Sequence, residues 1–135
     1  MPSSSWSLQK SLYETLCADS ALAGLLGAGR IFDDPPQRSA MPYVTFGQST
    51  VRDWSTGSDN GDEHILTLHV WSRADGRHQT HEIMQALRSA LHERDLTLDG
   101  HRLVNLRHEL SEARREPDGE TYHGIVRLRG VTEPL

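Results

Sequence analysis

Eight histidines and a single cysteine are the side chains best suited to chemistry in this sequence. His78 and His81 stand three apart at the start of a helical pattern, where they share a face and could begin a metal site. No Cys or carboxylate at ligand spacing completes such a site, and His81-Glu82 lacks the second His of a zincin motif. A solvated helix end accounts for both, so no metal is expected. His69, His108 and His123 fall on three different expected strands and could converge. The simpler expectation is that each satisfies a hydrogen bond on a polar sheet face. Cys17 is the only thiol, and beside an apolar helical stripe it is expected to act as a small hydrophobe. Gly24-Leu25-Leu26-Gly27-Ala28-Gly29 looks like a phosphate loop, but it follows a helix and lacks the Lys-Ser/Thr end. A helix-terminating turn explains it. Arg102, Arg107, Arg127 and Arg129 make a modest basic set with Glu109 among them, the pattern of a solvated face. The carboxylates are scattered, with no pair spaced for acid–base work. By these criteria no catalytic residue, cofactor site or metal site emerges.

The elements that would position these residues are read from periodicity. Ser3, Ser4 and Ser5 offer N-caps to a helix in which Leu8, Leu12 and Leu16 recur at i, i+4, i+8. Asp19 and Ser20 can cap a second short helical turn with Leu22, Leu25 and Leu26. Arg30-Ile31-Phe32 reads as short and extended, and Asp33-Asp34-Pro35-Pro36 as non-helical. Tyr43 to Phe46 reads as a strand and Gly47 to Asp62 as a long polar loop. His64 to Ser72 alternates clearly, with Leu66, Leu68 and Val70 on one face. A helix beginning near Asp75 carries Ile83, Met84, Leu87, Ala90 and Leu91. A strand over Leu103–Ser111 puts Val104, Leu106 and Leu110 on one face with His108. After the Pro117-Asp118-Gly119 turn, Tyr122 to Gly130 points Val126 and Leu128 inward and Arg127 and Arg129 outward. The expected fold is α+β, an antiparallel four-stranded sheet with helices packed on one face in the order α-β-β-α-β-β. Residues 1–135 are expected to form one domain.

Composition narrows the function. Net charge is −5, unlike the basic stripe of a protein that binds by neutralising phosphates. No apolar run approaches the ~18–20 residues of a membrane span. The start, Met1 to Trp6, has neither a basic nor an apolar segment, so no secretory leader is expected. A lone cysteine agrees with synthesis in a cytoplasm. Loops of ~12–15 residues or more in compact domains are usually functional or disordered. The 47–62 segment is polar except for Val51 and Trp54, and an exposed Trp is a typical interface anchor. Val51, Asp53 and Trp54 are therefore the candidate interface residues, with Trp54 ordering against a neighbour; the alternative is that Trp54 folds back over the sheet edge.

Several strings, in order, resemble the phage tail-completion or tail-terminator family of siphophages and gene-transfer-agent particles. They are Asp19 to Leu26, Arg30 to Pro36, Met41 to Gly47, Leu66 to Ser72, Leu96 to Val104 and the Asp118–Arg129 hairpin. Together they span about residues 8–131. The resemblance implies a non-enzymatic subunit of a hexameric ring that caps the tail tube, stops its polymerisation and offers a head-joining surface. The implied partners are further copies of the chain, the tail tube protein and a head-side connector or stopper protein. Either of the first two would be the neighbour that orders Trp54. DNA would pass through the lumen without specific binding. The implied place is the head–tail junction of a virion or phage-like particle. The alternative is another minor neck or tail-tube-associated structural protein of the same fold.

Overall fold

The computed structural model describes residues 3–74 and 76–135. The expected helix start at Asp75 lies outside the described residues. Helix α1 spans Ser4–Ala18, and the Ser3 side chain accepts a hydrogen bond from the Trp6 backbone N–H at 3.1 Å. Its Leu8, Leu12 and Leu16 stripe is fully buried. Each such leucine contributes roughly 1.5–3 kcal/mol of transfer free energy. Helix α2, Ser20–Leu26, is capped by the Asp19 carboxylate, which accepts from the Leu22 N–H at 2.9 Å. Gly27 ends it at φ 87°, a left-handed conformation that glycine adopts without steric cost. Helix α3, His78–Leu91, buries Ile83, Met84, Leu87, Ala90 and Leu91, the face its spacing predicts.

The sheet has five strands rather than four and is mixed rather than wholly antiparallel. They are β1 (Ile31–Phe32), β2 (Tyr43–Asp53), β3 (Asp62–Ser72), β4 (His101–Arg115) and β5 (Tyr122–Pro134), in spatial order β1-β2-β3-β5-β4. The element order is therefore α-α-β-β-β-α-β-β. The extra strand is β1, which pairs parallel with Val44 and Thr45 of β2. A two-residue segment has no periodicity of its own. Its pairing arises only because the chain after α2 returns beside β2, where the Val44 N–H donates to the Arg30 carbonyl at 3.0 Å. All other pairings are antiparallel, and the β2–β3 and β4–β5 hairpins flank α3 in sequence as expected.

Two further expectations are corrected. The supposed loop over 47–62 is half strand: β2 continues to Asp53 and β3 begins at Asp62, which leaves 54–61 as the connection. A register shift between Phe46 and Ser49 interrupts alternation. Beyond it, residues 48–60 are exposed on both faces, so nothing selects apolar side chains. In β4 the buried residues are Leu103 and Leu106, while Val104 (48%) and Leu110 (40%) are exposed. Shifts at Leu103/Asn105 and His108/Leu110 each insert a residue, and each flips the face that simple alternation assigns.

The helices lie on the face formed by Leu66, Leu68, Val70, Gly124, Val126 and Leu128: α3 packs on β3, β4 and β5, Leu8 of α1 lies against Gly130, and α2 packs on α1 and α3. A Cβ on Gly124 would come within 2.9 Å of Met84 Sδ and of Thr80 Cγ2, so the glycine lets α3 lie directly on β5. The other face of the sheet carries Thr45, Glu63, His69, Trp71, His123, Arg127 and Arg129 and has no helix over it among the described residues.

Candidate assembly surfaces

At one end of the bare face five side chains interlock. His69 Nδ1 lies 2.6 Å from His123 Nε2, and His123 Nδ1 lies 2.8 Å from the Glu116 carboxylate. If the His123 Nδ1–H is donated to Glu116, its Nε2 accepts the His69 Nδ1–H, and both rings are neutral. Trp71 stacks on His123 at 4.0 Å with planes 10° apart, and its indole N–H donates to Thr45 Oγ1 at 3.2 Å. A Cβ at Gly47 would overlap the His69 ring, so glycine at the β2 irregularity makes room for it. Burial is the main force holding His69 and His123 below the usual imidazole pKa of 6.5. For His123 the adjacent Glu116 carboxylate opposes it. Two of the three strand histidines thus meet. His108 does not join them: its ring bonds Ser111 Oγ at 2.7 Å, and its backbone N–H donates to His92 Nδ1 at 2.9 Å. The cluster forms a satisfied polar plug with no nucleophile beside it.

At the other end, Glu63 is buried between two guanidinium groups, with Arg129 Nε at 2.7 Å and Arg52 Nε at 2.5 Å. The Arg129 hydrogen bond, with Arg52 adding to it, pulls the Glu63 carboxyl below its usual range against the opposing effect of burial. Trp54 faces these same two arginines, 5.6 Å from Arg52 and 5.2 Å from Arg129, and stays 47% exposed. The sequence gives no sign of this arrangement, because the register that brings Glu63 opposite Arg52 depends on the irregularity at Gly47.

The three candidate interface residues all lie at this end, although they do not form one patch. Val51 is exposed on the helix-side face, opposite His64. Asp53 accepts from the Ser55 backbone N–H at 3.0 Å and from the Ser55 hydroxyl, which lowers its pKa. Trp54 lies on the bare face against the two arginines, and its N–H donates to the Gly61 carbonyl at 2.8 Å across the turn.

His78 and His81 are exposed at the start of α3, with His78 3.2 Å from Glu82 one turn on. Cys17 is exposed rather than packed, because the α1 stripe turns Leu16 inward and leaves Cys17 on the flank. Gly27 and Gly29 sit in the turn that ends α2. A second exposed aromatic surface was not foreseen from the sequence. Trp6, Tyr13, Phe32 and Phe46, with Lys10 and Asp34 at the rim, line an open groove of about 530 Å³ between α1 and β1.

These features show exposed strand, exposed aromatics and no catalytic constellation among the described residues, which suits an assembly subunit. The comparisons with known proteins agree. The tail completion protein gp17 of Bacillus phage SPP1 is 26% identical over 122 residues, covering 90% of this chain and 89% of that one. A chain in the virion of a native gene transfer agent particle superposes with a TM-score of 0.90 at 29% identity, covering 98% of this chain and 99% of the other. These likenesses support a structural role in a phage-type tail and a place in the virion. Residues 10–133 match the family described as tail completion protein gp17, and the chain belongs to that family.

Proposed function

We propose that residues 1–135 are one tail-terminator domain. In this reading the domain forms a ring, hexameric by family resemblance, on the tip of the finished tail tube. The ring halts addition of tube subunits and presents its free side to a head-side connector or stopper protein, while DNA passes through the lumen. The role is mechanical, and no side chain is assigned a catalytic or cofactor-binding part.

The observation that carries this reading is the end of the β2–β3 hairpin. Residues 48–60 are exposed throughout, and the Trp54 indole lies near two guanidinium groups with about half its surface in water. A lone domain gains little from a long exposed hairpin and a tryptophan left half in water, whereas a subunit that must grip a neighbour gains a contact. Terminating a polymer requires one surface that fits the last tube ring and another that no tube subunit can extend. Particles made without this chain should show tails of irregular or excessive length that fail to join heads. Normal-length tails already joined to heads would contradict the reading.

A further inference from the structure

The sheet has two open edge segments at diagonally opposite corners. β2 pairs with β1 only through Val44 and Thr45, so from Phe46 to Asp53 its outer side has no strand partner among the described residues. β4 is the opposite edge. Its first half is covered by the segment after α3. Thr97 bridges Arg102, the Glu93 N–H donates to the Leu106 carbonyl at 2.7 Å, and the His108 N–H donates to His92. From Glu109 to Arg115 no strand pairs with its outer side among the described residues. A free edge is a template for a strand from another chain, and proteins normally blunt it or use it.

The two edges suit each other. The order β2-β3-β5-β4 is antiparallel at every step, so β4 of one copy placed beside β2 of another runs antiparallel to it. The faces also agree. Arg52, opposite Glu63, and Glu112, opposite Ile125, both point to the bare face. Val51, opposite His64, and Ala113, opposite Gly124, both point to the helix side. One register therefore sets Arg52 against Glu112 and Val51 against Ala113, an ion pair and an apolar pair of the kinds that stabilise neighbouring strands.

We propose that a second copy of this chain adds the Glu109–Arg115 edge of its β4 to the free edge of β2 in that register, so the sheet continues from subunit to subunit. This rests on the ring reading and names its contact. The association is head-to-tail, the kind that makes rings when its rotation closes. Within one copy Glu112 is level with Ile125, His69 and Thr45, whereas across the contact it meets Arg52. Each copy thus slips along the strand direction, and closing a sheet on itself requires such a stagger.

The test uses particles assembled with a Cys17→Ser chain, which removes the exposed native thiol, carrying Val51→Cys and Ala113→Cys. Antiparallel neighbours place Cβ atoms ~4.5–5.5 Å apart, within reach of a short bis-thiol reagent. Treatment should give a ladder of covalent oligomers on a denaturing gel, ending at the copy number of the ring. A control pairing Val51→Cys with Val104→Cys, on the covered half of β4, should stay monomeric. If particles hold several copies but the Val51/Ala113 variant gives no ladder, or the control gives the same one, the edge pairing is wrong and the ring reading survives. If particles hold one copy, both fall.

Discussion

At the scale of single residues, burial favours the neutral form of four histidines, two on the bare sheet face and two on the helix side. Burial is the main force lowering the pKa of His64, His69, His108 and His123 from 6.5. Nearby carboxylates oppose it, Asp62 at His64 and Glu116 with Glu112 at His123, while Arg114 reinforces it at His69 and His123. A folded-state value below the unfolded one means that the unfolded chain binds more protons at mildly acidic pH. The neutral rings therefore contribute full stability above about pH 6.5, and that contribution is lost as pH falls below it. The lowered carboxylates Asp53, Glu63 and Asp118, the last at about 2, lose their contribution only in more acidic solution. Melting temperature should therefore drop between about pH 7 and pH 5, and His69→Asn with His123→Asn should shallow the slope. A melting temperature constant over that interval would show that the hydrogen-bonded His69–His123 pair carries no such linkage.

At the scale of elements, the α3–β5 contact depends on a missing side chain. Gly124→Ala would push a methyl against Met84 and Thr80. Overpacking of this kind costs about 1–3 kcal/mol, which a denaturant titration should register as a lower midpoint with an unchanged slope. The β2–β3 hairpin is expected to behave in the opposite way. Trp54 touches two arginines at the surface, contacts worth roughly 0.5–1 kcal/mol each, so Trp54→Ala should move the melting temperature only slightly. The same variant should markedly weaken ring formation or tail binding. Hydrogen exchange should be fast at 54–61 in the free chain and slow in the particle. Unfolding of the free Trp54→Ala chain would place the indole in the core instead.

These two elements also show what is legible in sequence. The α3 face and the β3 and β5 alternation were readable because one side of each meets a leucine-rich core at regular spacing. The outer half of β2 was not, because a strand with water on both faces has no apolar period. The inward face of β4 was misread wherever an inserted residue reversed the alternation. Arg30 to Phe32 read as extended, but only pairing with β2 makes Ile31 and Phe32 a strand of the sheet. At the candidate site, Trp54 stood out as an aromatic among polar residues. Its arginine partners did not, because only the register across three strands brings Arg52, Glu63 and Arg129 together.

At the scale of the whole molecule, the helices cover one face and leave the other face, two edge segments and a hairpin to be met by something else. The proposed placement between a tube and a head would use that asymmetry. The family and the virion structure it resembles put the chain in a phage-type tail. The central claim is the ring on the tube tip, and a reconstruction of intact particles at the head–tail junction tests it most directly. Several identical copies of this chain should close around the DNA channel, matching the symmetry of the adjacent tube ring, with Trp54 buried in a contact. A single copy, a ring of different symmetry, or a position away from the head-proximal end of the tube would contradict it.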